Sequence, residues 1–124
     1  MGLILVVDDD EGVTQTFARM LRLEGFEVLT AASAETGLQL ARQRHPDAIM
    51  LDLRMPLING LGFLYRLRSD HAQASTPVAI VTGDFLLDDE IASEIAELDV
   101  EVHFKPLWQD DLLHLARQLV NRSN

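Results

Sequence analysis

Five short apolar runs, separated by stretches of helical periodicity, restrict this chain to one class of fold. Leu3–Val7, 47–52 and 77–82 are almost continuously apolar, which is what a strand requires when helices cover both its faces. Residues 26–31 are less pure, and Val100–Phe104 alternates Val, Glu, Val, His, Phe. These two runs are therefore expected at the edges of a sheet. Strands alternating with amphipathic helices predict a parallel, doubly wound α/β sheet.

The intervening stretches carry the helical spacing. Val13, Phe17, Met20 and Leu21 fall on one face of a first helix, and Gly25 stands where a left-handed cap would end it. Ser33 and Thr36 open a second helix, with Leu38 and Ala41 inward and Pro46 closing it. Leu61, Leu64 and Leu67 mark a third after Asn59-Gly60. Ile91, Ile95 and Leu98 mark a fourth, and Leu112, Leu115, Ala116 and Leu119 a fifth. With 124 residues, residues 1–124 are expected to form a single domain. No linker, repeat or low-complexity stretch interrupts them, and the last helix runs almost to Asn124, so no output module is expected within this sequence.

In such sheets ligands bind outside the carboxyl ends of the strands, and chemistry is concentrated at those ends here. Asp8-Asp9-Asp10 follows the first run, Asp52 the third, Thr82 the fourth and Lys105-Pro106 the fifth. Three carboxylates brought close would repel one another. A divalent, oxygen-seeking cation relieves that conflict, and Mg²⁺ uses one or two carboxylates with waters and phosphate oxygens. Thr82 can donate a hydrogen bond to a phosphoryl oxygen, and Lys105 can neutralise it. Asp52, alone at the end of a central run, is the candidate nucleophile for an aspartyl phosphate. Each piece has an ordinary reading: a solvated loop or helix cap for Asp8-Asp9-Asp10, turn chemistry for Asp52 and for Thr82-Gly83. The four in this order and spacing are specific.

Ten basic against twenty acidic residues give a formal net charge of −10, which opposes direct binding to nucleic acid or an anionic membrane. Without cysteine there is no disulfide framework, thiol nucleophile or CxxC knuckle. The N-terminal apolar run lacks a basic lead and is too short for a signal or membrane segment, so a cytoplasmic location is expected. His114 on the fifth helix is expected to be structural or solvated rather than a phosphoryl acceptor, and His45, His71 and His103 have no partners at metal-ligand spacing.

The chain resembles the receiver domain of two-component response regulators from about Leu3 to Val120. The resemblance runs through residues 4–10, 46–56, Asn59-Gly60, Val81-Thr82-Gly83 and Lys105-Pro106. It implies a flavodoxin-like five-stranded sheet of order 2-1-3-4-5 with five helices, an order for which receiver proteins are a standard example. It further implies that Asp52 is the phosphoacceptor, with Thr82 and Lys105 beside the phosphoryl group. Asp9 is implied as a direct Mg²⁺ ligand, Asp8 as one acting chiefly through water, and the Arg54 backbone carbonyl as the third protein ligand. The implied activity is a phosphorylation switch that takes its phosphoryl group from a sensor histidine kinase or phosphotransfer protein. It is not an enzyme beyond autocatalytic acceptance and hydrolysis. Its implied partners are that kinase, a downstream protein or output domain, and a second copy through the face formed by the fourth helix, fifth strand and fifth helix.

Six positions depart from the pattern or tune it. The family's switch aromatic is Val102 here, and it has no ring to swing; His103 is expected on the opposite face and Phe104 in the core. The Gly-Ala pair common before the fifth strand in the family is replaced by Leu98-Asp99 here. Arg54 and Asp84 stand where phosphoryl lifetime is tuned and, being of opposite charge, either pair across the site or remain solvated. Trp108 falls at the N-cap of the fifth helix, where tryptophan is a poor cap; it is either an exposed anchor or packed against Leu86 or Leu87. Two other functions compete: a phosphate-independent interaction module of the same fold, and an FMN binder. The second would need a Ser/Thr/Gly-rich loop where Asp8-Asp9-Asp10-Glu11 stands, and no Walker A or GxGxxG motif is present.

Overall fold

The computed structural model describes residues 2–52, 57–82, 89–104 and 107–123; for Asp52, residues 57–60, Thr82, Ile91 and Ser123 it describes the main chain alone. Its strands are β1 (Leu3–Val7), β2 (Glu27–Ala31), β3 (Ala48–Asp52), β4 (Val78–Thr82) and β5 (Val100–Phe104). They pair in parallel in the order β2-β1-β3-β4-β5. The less pure run and the alternating one are thus the edge strands, and the continuously apolar ones lie inside. Helices α1 (Glu11–Leu23), α2 (Ala34–Arg44), α3 (Leu57–Ser69), α4 (Asp89–Glu97) and α5 (Gln109–Ser123) connect or follow them.

Strand alternation divides the core in two. Ile4, Val6, Ala48, Met50, Ala79 and Val81 face α1 and α5, against Leu21, Leu112, Ala116 and Leu119. Leu5, Val7, Ile49, Leu51, Val78 and Ile80 face the other way, against Leu38, Phe63, Leu64, Leu67 and Ile95 of α2, α3 and α4. Inner strands loaded on both faces in this way cannot slip register without exposing one whole side.

Helix ends follow local chemistry. Gly25 takes φ 97°, and the Gly25 and Phe26 amides donate to Arg22 O at 3.0 Å and Leu21 O at 3.2 Å, the double bond of a Schellman cap. Ser33 Oγ accepts from Thr36 N at 3.1 Å to start α2. At the other end of α2, His45 adopts φ 48°, a left-handed position held by a non-glycine residue.

Three expectations are corrected. Helix α1 turns Thr14, Ala18 and Leu21 to the sheet, while Phe17 and Met20 pack at its flanks. Small side chains sit where the helix axis is nearest the strands, and long ones reach around. Helix α3 starts at Leu57, so Asn59-Gly60 lies inside its first turn. Phe104 is 42 % exposed, because the end of an edge strand has no second strand to cover it. No helix among the described residues is long and apolar enough to cross a membrane.

Candidate functional site

At the carboxyl end of β1 the three consecutive aspartates separate into three roles. The Asp8 amide extends the ladder to Ala31 O at 3.0 Å, and its side chain is completely buried. Asp8 Oδ1 accepts from the Asp10 amide at 2.9 Å, an Asx-type turn that reverses the chain into α1. Asp10 is the N-cap: its Oδ1 accepts from Gly12 N at 2.9 Å and Val13 N at 3.3 Å. Asp9, between them, is exposed. The capping reading of this triplet therefore applies to Asp10 alone.

The neighbouring strand ends fall into line with Asp8. Val7 pairs with Leu51, so Asp52 is the next residue of β3 beside Asp8, on strands about 4.8 Å apart. Asp52 pairs with Val81, which places Thr82 one residue further along β4. Thr82 pairs with Phe104, the residue before Lys105. The main chain thus delivers the first three signals, and the strand leading to the fourth, to one edge of the sheet. The side chains of Asp52 and Thr82, and the whole of Arg54, Asp84, Lys105 and Pro106, lie outside the described residues.

A carboxylate as buried as Asp8 persists only with compensating charge or hydrogen bonds, and it is set beside a second aspartate position. Oxygen donors of this kind, one buried and one exposed, suit a hard divalent cation rather than a soft one. No three His, Asp or Glu side chains converge at metal-binding distance among the described residues; Asp52 and Arg54, the other expected donors, are not among them.

Around β5, Val102 pairs with Ile80 and packs against the core on the α4 side. His103 turns to the opposite face, where its Nε2 lies 3.4 Å from Glu101 Oε2. Glu101 also binds the Arg122 guanidinium. Burial raises the Glu101 pKa, but the hydrogen bonds and charges of Arg122 and His103 together bring it below the usual carboxylate range. Neither His103 nor the exposed Phe104 takes the place of a ring at position 102. Trp108 is 70 % exposed. Its amide donates to Asp111 Oδ2 at 3.3 Å, the return half of a capping box that tryptophan's side chain cannot reciprocate.

Two polar residues outside the strand-end motif escaped sequence reasoning. Arg68 donates to carbonyls of Leu98, Gln73, Thr76 and Asp99 at 2.7–3.2 Å. Gln73, only 1 % exposed, bridges α2 and the 3₁₀ turn His71–Gln73. Neither belongs to a periodic pattern, so no sequence signal singled them out.

Residues 4–117 match the family model for the response regulator receiver domain. The transcriptional regulatory protein PrrA of Mycobacterium tuberculosis is 35 % identical over 119 residues, 96 % of this chain and 50 % of that protein. The cell cycle transcriptional regulator CtrA of Caulobacter vibrioides is 32 % identical over 120 residues, 97 % of this chain and 51 % of its own length. The chain thus spans about half the length of these curated relatives. Among solved structures, the chemotaxis response regulator CheY4 of Vibrio cholerae superposes with a TM-score of 0.85 at 27 % identity, covering 96 % of this chain and 98 % of that one. A receiver domain from Clostridium thermocellum gives 0.85 at 30 % identity, covering 98 % and 96 %.

Proposed function

The chain belongs to the response regulator receiver domain family, and from that premise we propose that it is a Mg²⁺-dependent phosphorylation switch with Asp52 as phosphoacceptor. The observation that carries this reading is the division of labour at the end of β1. A buried Asp8, followed by an exposed Asp9, comes one step after the Val7–Leu51 pair and so beside the last residue of β3, which is Asp52.

A bound Mg²⁺ would neutralise the clustered carboxylates and the incoming phosphoryl oxygens. Asp9, being exposed, would ligate it directly. Asp8, with Oδ1 engaged by the Asp10 amide, fits a role through water, and the Arg54 carbonyl would complete the protein donors. An Asp52 carboxylate oxygen attacks the phosphorus of a phosphohistidine; the P–N bond breaks and the imidazole leaves. Thr82 donates to a phosphoryl oxygen and Lys105 balances its charge. Water later hydrolyses the acyl phosphate, and the protein turns over no other substrate. Its donor is a sensor histidine kinase or phosphotransfer protein, and its readout a downstream protein or an output domain, as the regulator names of its relatives suggest.

Intact mass after incubation with Mg²⁺ and acetyl phosphate tests the proposal. One added phosphoryl group is expected, absent without Mg²⁺ and absent in Asp52→Ala. An adduct that persists in Asp52→Ala would assign the acceptor elsewhere. No adduct at short times, with a histidine kinase as well as acetyl phosphate, would favour the phosphate-independent module.

A further inference from the structure

A half-open cleft of about 340 Å³ lies between the start of α2 and the middle of α3, at the small end of the roughly 300–1,000 Å³ that small-ligand pockets occupy. Each helix lends it one apolar and one charged residue three positions apart, and so on one face. Helix α2 supplies Glu35 and Leu38, and α3 supplies Phe63 and Arg66. Leu38 and Phe63 are buried and make the floor. Glu35 and Arg66 are exposed and stand at the mouth.

Two glycines shape this cleft. A Cβ on Gly62, which lines it, would meet nothing within 4 Å, so the space exists because α3 carries no side chain there. Glycine weakens a helix interior relative to any ordinary side chain, and no close contact requires it at this position. Gly37 on α2 does have close contacts: a Cβ there would lie 2.9 Å from Val7 Cγ2 and 3.1 Å from Phe63 Cε2. Helix α2 is thus already seated against β1 and Phe63, and the floor of the cleft is preformed.

The mouth offers two opposite charges. Ser33 Oγ, also on the wall, is committed to Thr36, accepting from its amide and donating to its hydroxyl, both at 3.1 Å. Neither Glu35 nor Arg66 makes a side-chain hydrogen bond or ion pair among the described residues, not even with the other. Their signs suit the dipoles of their own helices, Glu35 in the first turn of α2 and Arg66 in the last of α3. That preference does not bring them to one cavity over an apolar floor.

We propose that this cleft binds a small zwitterion with an apolar body, namely a free α-amino acid with a branched aliphatic side chain. Its carboxylate pairs with the planar guanidinium of Arg66, its ammonium with Glu35, and its side chain lies on Leu38 and Phe63. A ligand with both charges at one end matches a cleft with both charges at its mouth. Bound there, it ties α2 to α3, and the site stands whether or not Asp52 accepts a phosphoryl group.

NMR titration of the isotope-labelled full chain with L-leucine tests this. Saturable amide shifts are expected at residues 33–38 and 62–67, with a Kd of roughly 1 mM or tighter. No saturation by about 10 mM, or shifts centred elsewhere, would overturn the site. Arg66→Gln and Glu35→Gln should each weaken binding roughly tenfold, as loss of a charge-assisted bond does; unchanged affinity in either would overturn the pairing. N-acetyl-L-leucine amide keeps the side chain and lacks both charges, and should bind more weakly still. Affinity equal to that of L-leucine would overturn the amino acid as ligand and assign the cleft to a side chain of a partner protein. Gly62→Leu fills the cleft from within and should abolish the shifts, with the thermal midpoint held or raised. Wild-type affinity in that variant would overturn the location, and the two exposed substitutions decide the question if it fails to fold.

Discussion

The two ends of the sheet use polar groups in opposite ways. At the amino end they are spent on the protein's own main chain. Asp47 Oδ2 accepts from Leu3 N at 2.8 Å. Arg68 gathers four carbonyls from two stretches, Gln73 and Thr76 ahead of β4 and Leu98 and Asp99 ahead of β5. The Gln73 amide donates to Ala41 O at 3.0 Å and lies 3.1 Å from His45 Nδ1, while its Oε1 accepts from Thr76 Oγ1 at 2.8 Å. Because an amide nitrogen only donates, His45 Nδ1 is the acceptor. At the carboxyl end the chain instead gathers aspartates, a buried Asp8 and an exposed Asp9 after β1 with Asp52 ending the adjacent strand, where like charges oppose folding. One end spends its polar groups on the protein's own main chain; on the function proposed above, the other keeps them for ligands.

Mutations should separate along this line, and the largest stability effect belongs to the amino end. Gln73→Ala strips partners from Ala41, His45 and Thr76 in a buried site, and should cost about 2–3 kcal/mol. Urea unfolding measures that loss, while Mg²⁺-dependent uptake of a phosphoryl group should survive in the folded fraction. Loss of uptake in fully folded protein would break the division. Asp9→Asn should do the reverse. Mg²⁺ affinity falls at least roughly tenfold, while stability stays level or rises by a few tenths of a kcal/mol. A Mg²⁺ titration alongside unfolding of the same sample checks both.

Two helical glycines sharpen the comparison at smaller amplitude. A Cβ on Gly37 would lie 2.9 Å from Val7 Cγ2 and 3.1 Å from Phe63 Cε2, at the end of the strand that carries Asp8. Gly37→Ala should cost about 1–2 kcal/mol despite its better helix propensity. A Cβ on Gly62 would meet nothing within 4 Å, so Gly62→Ala should stabilise by about 0.5–1 kcal/mol. Thermal unfolding of the pair gives opposite signs if α2 is pressed against β1 as described.

The smallest effect is in pH. Glu101, held by Arg122 and His103, has its pKa below the ordinary 4.5 in the folded state. Its contribution is therefore present above that ordinary value and is lost as pH falls through the folded one. Arg122 is about half exposed, so only a few tenths of a kcal/mol are at stake. Glu101→Gln should flatten the acid limb of the stability curve by that amount, and an unchanged limb would show the cluster to be without energetic weight.

Sequence alone determined whatever depends on neighbours within one turn or one strand. Almost purely apolar runs became inner strands, and the less pure and the alternating run became edges, because burial on one face or two writes a different pattern. Gly25 ended α1 because its φ of 97° is open to glycine at little cost. The site's placement followed from strand ends, since parallel topology brings them to one side. Tertiary structure decided what local pattern leaves open. It chose which of three consecutive aspartates faces inward, which face of α1 meets the sheet, and that Phe104 ends an edge strand uncovered. It also placed Arg68 thirty residues from the Leu98 carbonyl it binds. A lone arginine or glutamine carries no period, and the carbonyls it satisfies are bare only where distant turns happen to end together. That meeting is set by the packing of whole helices on the sheet, and no window of sequence contains it.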